Sequence, residues 1–435
     1  MSRADHRPLP GWWADAKLGI LVHWGPYSVP AFAPVGPSPF ALAESHGWAH
    51  AFAHTPYAEW YENSLSLEGS PVARHHAEHH ADETYGDLAE RFRRESTDWD
   101  PATWTEPFAA AGARYVVITT KHHDGFCLWP TAVPTPHRAD WSTERDLVGD
   151  LAAATRQAGM RFGTYYSGGL DWTFGGLGID SFEAMIAAIP RSDEYRRHAA
   201  AHVRELIARY EPDVLWNDIH FPGRETALAL IEHFHEVVPH GVVNDRFDLR
   251  GVARGEFPAD VVTPEYAAIP PETDLPWELC RGIGGSFGLN DAETTDDLLT
   301  GRELVHLLIE VVAAGGNLLL GVGPAADGSI PSIQADRLAE LAGWMRTNGA
   351  AVHGTRPGTS DGGRPVTVTD TDRHVFVLDP EPGAIVELEG EGPVELLGHG
   401  RLDEEPSSSG SVAVRLPRAP APSPAAVLRL HGGDA

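Results

Sequence analysis

The sequence predicts an α/β protein, with a (β/α)8 TIM-like barrel over residues 1–354 and a small antiparallel β-sandwich over residues 355–435. Three observations lead there. Eight short runs of aliphatic and β-branched residues alternate with longer segments of helical period between Lys17 and Val322. No G-x-G-x-x-G follows the first run, which favours a barrel over a doubly wound sheet. Beyond Gly354 the helical period disappears and short alternating runs take over.

The strands are expected at Leu18–Val22, Arg114–Thr119, Arg161–Tyr165, Val214–Trp216, Val242–Val243, Val261–Thr263, Leu279–Ile283 and Leu318–Val322. Each is short and nearly continuous in apolar residues, as strands buried on both faces should be. Helix signals fill the gaps. Asp100-Pro101 supplies a cap and a first-turn proline before Ala102–Ala111. Asp146 opens a segment that puts Leu147, Leu151 and Ala154 on one face, and Gly159 closes it. Tyr195–Tyr210, Arg224–Val238, Glu303–Ala313 and Ala335–Asn348 carry the same period. In the carboxy-terminal part, alternating runs at Val366–Val368, His374–Leu378, Ala384–Leu388, Val394–Leu397, Val412–Leu416 and Ala426–Leu430 predict the sandwich.

Composition narrows the function. The hydrophobic share of 42% and charged share of 22% are those of a globular domain. Thirty-three Lys and Arg against 62 Asp and Glu give a net charge of −29, which repels nucleic acid and anionic membranes but is indifferent to a neutral sugar. Two cysteines, Cys127 and Cys280, make neither a disulfide framework nor a zinc-type spacing. The stretch Met1–Trp13 has no apolar core of signal-peptide type, so a cytoplasmic location is expected. Oligomeric state is not legible.

In a barrel enzyme the catalytic groups come from the carboxyl ends of the strands. Here those ends read His23-Trp24, Lys121-His122-His123-Asp124, Tyr165-Tyr166-Ser167, Asn217-Asp218, Asn244-Asp245-Arg246, Glu265-Tyr266, Gly285-Ser286-Phe287 and Gly323. The mixture suits sugar chemistry: flat rings stack on a pyranose, while His, Arg and carboxylate bond its hydroxyls. Glycosidic cleavage needs two carboxyl groups, and Asp218 and Glu265 are the best-placed pair. Arg246 and imidazoles at the same rim would keep Asp218 ionised, whereas the Thr263-Pro264 and Tyr266 flanks of Glu265 could hold a protonated acid. A rim salt bridge is the alternative for each.

The stretches LGILVHWGPYSVPAF, PYAEWYENS, GARYVVITTKHHDGFCLWP, RDLVGDL, RFGTYYSGGLDW, PDVLWNDIHFP, VVNDRFD, TPEY, RGIGGSFGLN and GGNLLLGVGPAADGSIP run in order through the predicted barrel. In these the sequence resembles the α-L-fucosidases of glycoside hydrolase family 29. The resemblance implies a retaining exo-α-L-fucosidase that acts on fucosylated oligosaccharides or glycosides without cofactor or metal. It assigns Asp218 as nucleophile and Glu265 as acid/base. It places His23, Glu59, Trp60, His122, His123, Tyr165, Trp216 and Arg246 around the fucose, and Phe287 near its C6 methyl group. His122 and His123 would face opposite ways if strand two continued through them, and a turn there would free both.

The sequence departs from the family pattern at three places. Gly321 stands where many members have Asn, Leu21 where an aromatic is common, and Thr131–Thr143 lacks the usual Asn-Ser. Two rival classes remain distinguishable. A metal-dependent, amidohydrolase-like enzyme would want His-x-His after strand one, where this chain has His-Trp-Gly. A non-catalytic fucose-binding protein would be favoured if either carboxylate were missing. The cluster His75, His76, His79 and His80 has zinc-like spacing but reads as a solvated helix face.

Overall fold

The computed structural model describes residues 7–407, 410–418 and 423–431. The first six residues of the amino-terminal stretch read above, 1–6, lie outside that description. At the centre is a curled parallel sheet of seven strands: β1 (Leu18–Val22), β2 (Tyr115–Lys121), β3 (Arg161–Ser167), β4 (Val214–Asp218), β5 (Val242–Val243), β6 (Glu278–Gly282) and β7 (Asn317–Val322). Their order is β5-β4-β3-β2-β1-β7-β6. Every residue of β1, β2, β4 and β7 is buried, because helices cover the outer face and side chains fill the inner one. On the inner face Gly19 pairs with Tyr115; a Cβ at Gly19 would lie 2.3 Å from that ring. Glycine therefore lets the phenol cross the sheet and donate to the Glu278 carboxylate.

The expected sixth strand, Val261–Thr263, does not form. That stretch makes only isolated parallel bridges, Asn244 to Val261, Val262 to Trp277 and Glu265 to Cys280. Its backbone groups go elsewhere: the Thr263 N–H donates to Asp245 Oδ1 (3.1 Å) and its carbonyl accepts from Arg246 Nη2 (2.9 Å). Pro264 has no N–H to give to a ladder. Among the described residues the sheet is thus an open array of seven strands, not the closed ring of eight that was expected.

The expected helices appear as Ala102–Ala110, Leu147–Gln157, Asp193–Tyr210, Arg224–Val237, Gly301–Ala313 and Ser332–Asn348. Asp146 Oδ1 accepts from the Gly149 N–H at 2.9 Å and so caps the second of these. Apart from the helix expected under the histidine cluster, the sequence reading does not anticipate the excursions. Between β1 and β2 lie Pro39–His46, Trp48–Ala53, Tyr61–Ser66, Pro71–His79 and Tyr85–Glu95; between β3 and β4 lies Phe182–Ala188. The histidine cluster sits on Pro71–His79 and is only partly solvated. His76 is buried between the Tyr61 hydroxyl (3.1 Å) and the Glu83 carbonyl (2.8 Å), and His75 stacks on Phe32 at 3.8 Å.

Beyond the helical turn Gly349–Ala351 the chain forms two antiparallel sheets. One has six strands, Gly400–Arg401, Val394–Leu396, Ala425–His431, Asp372–Leu378, Val366–Val368 and Arg356–Pro357 in spatial order; the other has three, Ile385–Glu389, Ser411–Arg415 and Glu404–Glu405. Val375, Leu396 and Leu428 of the first share a core with Val386, Leu388 and Val414 of the second. On its other side the six-stranded sheet adds Phe376 and Val427 to the main core, and the Trp344 indole donates to the Ala425 carbonyl at 3.0 Å.

Candidate active site

At the carboxyl ends of the central strands opens a cavity of about 690 Å³. All eleven residues singled out in the sequence line it. His23 follows β1, His122 and His123 follow β2, Tyr165 lies in β3, and Trp216 and Asp218 lie in β4. Arg246 stands on the turn Asp245–Phe247 after β5, and Glu265 closes the bridged stretch. Phe287 follows β6, while Glu59 and Trp60 come from the turn Ala58–Trp60. The chain turns at His123-Asp124, so both imidazoles face inward, whereas Tyr166 points outward to His202 (3.2 Å).

One guanidinium organises both carboxylates. Arg246 Nη1 donates to Asp218 Oδ1 at 3.0 Å and to Glu265 Oε2 at 3.1 Å, and Nη2 donates to the same Glu265 oxygen at 3.1 Å. The Asp218 and Glu265 oxygens that share Nη1 therefore lie no more than ~6 Å apart. Thr263 holds the guanidinium from behind, accepting from Nε at its hydroxyl (3.0 Å) and from Nη2 at its carbonyl (2.9 Å), while the Trp216 ring lies 4.6 Å below. The Tyr165 hydroxyl donates to Asp218 Oδ2 at 2.7 Å. Burial alone would raise the Asp218 carboxyl; the Arg246 charge and the Tyr165 phenol outweigh it and hold the group below the ordinary aspartate value. The Asp218 and Glu265 carboxylates in turn drive the Arg246 guanidinium, despite its burial, to a still higher pKa.

The imidazoles are neutral. Burial lowers His23 to about 3 and His123 to about 4, and lowers His122 well below the usual histidine value. His123 Nδ1 bonds the Ser167 hydroxyl at 2.7 Å. The Nδ1 atoms of His23 and His122 are buried and have no hydrogen-bond partner among the described residues. Buried polar atoms of this kind normally find a partner, and here they face a cavity.

The apolar wall is continuous with this polar floor. Tyr165 stacks on Trp216 at 5.2 Å, and Phe287 stacks on His23 at 5.1 Å. Gly321 faces Phe287: a Cβ there would lie 2.9 Å from its Cδ1, so the missing side chain is what lets the phenyl ring settle. Leu21, a second of the three departures from the family pattern, also lines the cavity. Glu59 is buried, and its Oε2 accepts from the Gly288 N–H at 2.9 Å. Burial raises its carboxyl to about 7.

One neighbour of the site escaped the sequence reading, and the orientation of another did not follow from it. The Tyr57 hydroxyl donates to Glu265 Oε1 at 2.5 Å, yet Tyr57 follows no strand; the PYAEWYENS stretch was its only signal. Lys121 turns away from the cavity and is fully buried against Asp171 (2.9 Å) and the Tyr166 ring (4.5 Å). Asp171 is followed by Trp172, whose N–H donates to the His123 carbonyl at 2.7 Å, so this ion pair braces the histidine turn. A second hollow of about 760 Å³, between Phe174 and Arg191, shares Phe182, Ile186 and Ile189 with the cavity but contains no carboxylate pair. Among the described residues no three His, Cys, Asp or Glu side chains converge as metal ligands would.

The family model described as alpha-L-fucosidase matches residues 1–350. The chain is similar to an alpha-L-fucosidase of Dictyostelium discoideum, 31% identical over 372 residues that cover 81% of this chain and 73% of that protein. Among solved structures it is similar to the α-fucosidase of Thermotoga maritima in complex with a mechanism-based inhibitor. Identity there is 37%, with a TM-score of 0.84, covering 97% of this chain and 96% of the other. The complex of the same enzyme with fucose superposes with a TM-score of 0.82 at the same identity and coverage.

Proposed function

This chain belongs to the α-L-fucosidase family of glycoside hydrolases, and from that premise we propose that it releases terminal α-L-fucosyl residues with retention of configuration, by double displacement. The observation that carries the reading is the Arg246 clamp. Carboxyl groups of retaining glycosidases stand ~5–5.5 Å apart and those of inverting ones ~6.5–9.5 Å; one oxygen each of Asp218 and Glu265 lies within ~6 Å of the other, which supports the shorter class.

Asp218, held ionised, attacks C1; the C1–Oδ bond forms as the glycosidic C–O bond breaks, and Glu265 gives its proton to the departing oxygen. Water then attacks C1 of the fucosyl ester, Glu265 takes its proton, and Asp218 leaves as the carboxylate. Neutral His23 and His122, each with a free Nδ1, pair with ring hydroxyls. Phe287 and Leu21 give the 6-deoxy carbon an apolar wall where other hexoses carry a hydroxyl. We read the bridged stretch 261–265 as the eighth stave of a (β/α)8 barrel; bridges to Asn244 on one side and to Trp277 and Cys280 on the other support this. Proton NMR of the first product tests the mechanism: α-fucose should appear first, and β-fucose appearing first would overturn it.

One observation favours a second reading of the proton donor. Glu265 is held by Arg246 in an ion pair, whereas Glu59 is raised to about 7 by burial and meets no cation among the described residues. If Glu59 is the acid, it donates only while protonated, so kcat/KM falls as pH climbs above about 7. The Glu59→Gln variant should then lose that alkaline limb; a limb unchanged in this variant returns the role to Glu265.

A further inference from the structure

We propose that the outer half of the cavity is built for an aromatic aglycone, so that the preferred substrates are aryl-type α-L-fucosides rather than fucose linked to another sugar. This rests on the fucosidase reading of the inner half. A volume of about 690 Å³ falls in the ~300–1,000 Å³ range of pockets that enclose a drug-sized ligand, which leaves room beyond a single pyranose. What lines the outer part differs in kind from the imidazoles and carboxylates below. A ladder of rings descends from the rim: Phe40 meets Trp48 at 5.9 Å, Trp48 meets Phe52 at 5.9 Å, and Phe52 meets Trp60 at 5.8 Å beside His123. Phe182 joins Trp48 at 5.5 Å, and Met185 and Ile186 follow it on the same helix. None of these side chains from Phe40 to Ile186 carries a hydroxyl, an amide or a charge, so apart from the indole N–H groups of Trp48 and Trp60 the ladder has nothing for a second sugar's hydroxyls.

The wall is also exposed where exposure is costly. Of the seven large apolar side chains exposed among the described residues, Phe40 (60%), Leu249 (49%) and Ile186 (36%) line this one mouth. Apolar surface concentrated at one opening marks a contact awaiting a partner. The ladder is carried by Pro39–His46, Trp48–Ala53 and Phe182–Ala188 down to Trp60 at the floor, all of them excursions from the strand-and-helix repeat. The aglycone wall is therefore built on segments other than the strand ends that make the floor. Arg191, His220 and Arg250 stand on the same rim and are the groups a polar aglycone would use instead.

The test compares three fucose-configured iminosugars that carry, at the anomeric carbon, hydrogen, a phenyl-bearing group or a polyhydroxylated ring of similar size. Inhibition constants are measured on the wild type, Trp48→Ser and Phe40→Ser. The phenyl compound should bind the wild type about tenfold or more tighter than the parent, as one buried ring face warrants, and each variant should lose most of that gain while binding the parent normally. A gain that is absent in the wild type, that survives both substitutions, or that the polyhydroxylated ring matches would overturn the aromatic aglycone. Failure of the parent to bind the wild type would instead contradict the fucosidase reading beneath it.

Discussion

At the scale of single residues the site depends on one cation shared by two anions. Arg246 is inaccessible to bulk water over most of its length, holds Asp218 and Glu265 with separate N–H groups, and rests on Trp216. A lysine keeps the charge but loses the planar fork and its stacking, so Arg246→Lys is not a conservative change. We expect kcat/KM on an aryl α-L-fucoside to fall ~10²–10³-fold with the circular dichroism spectrum unchanged, in the range seen when one preorganised electrostatic donor is removed. Activity within tenfold of wild type would show that Arg246 merely fills space. The carboxylates and the arginine were legible in the sequence because apolar runs locate strand ends, and barrel chemistry collects there. Tyr57 was not, since a residue on a loop reaches Glu265 by a path that no local pattern encodes.

At the scale of elements, the segment following β2 needs a brace. The strand ends in Lys121, whose ammonium is buried against Asp171 with exposures of 0% and 1%. Burial opposes a charged Asp171, yet Lys121 and the Thr173 hydroxyl outweigh it and hold that carboxyl below the ordinary value. Removing one member of such a pair leaves an uncompensated buried charge. Lys121→Met should therefore cost ~3–5 kcal/mol in urea unfolding, and Lys121→Met with Asp171→Asn should recover much of it. An equal cost in the single and double variants would mean that packing, not charge, is what Lys121 supplies. The sequence placed Lys121 at a strand end beside the site but could not say which way it faced. A strand alternates sides with each residue, and the turn at His123 breaks that alternation. Element boundaries failed for a related reason at Val261–Thr263. Apolar β-branched residues there satisfy the strand pattern, while Asp245, Arg246 and Pro264 divert the backbone groups a ladder would need.

For the whole molecule, the sequence conveyed the alternation of strand and helix and the change of texture near residue 354, because both are periodic properties of long stretches. It did not convey the helices Pro39–His46, Trp48–Ala53 and Phe182–Ala188, which border the cavity mouth and stand outside the repeating unit. Nor did it convey that the carboxy-terminal sheet shares the main core through Phe376 and Val427. The result is a floor of charged and imidazole groups set by the strands, under a rim built by helices of the intervening excursions. The measurement that bears most directly on this account is nitrophenol release from the aryl α-L-fucoside, beside the β-fucoside and the α-galactoside, by the wild type and Asp218→Ala. The account predicts turnover of the α-fucoside alone, insensitive to chelator and reduced by several orders of magnitude in a variant that still folds. Near-normal turnover by Asp218→Ala, or equal turnover of the galactoside, would contradict it.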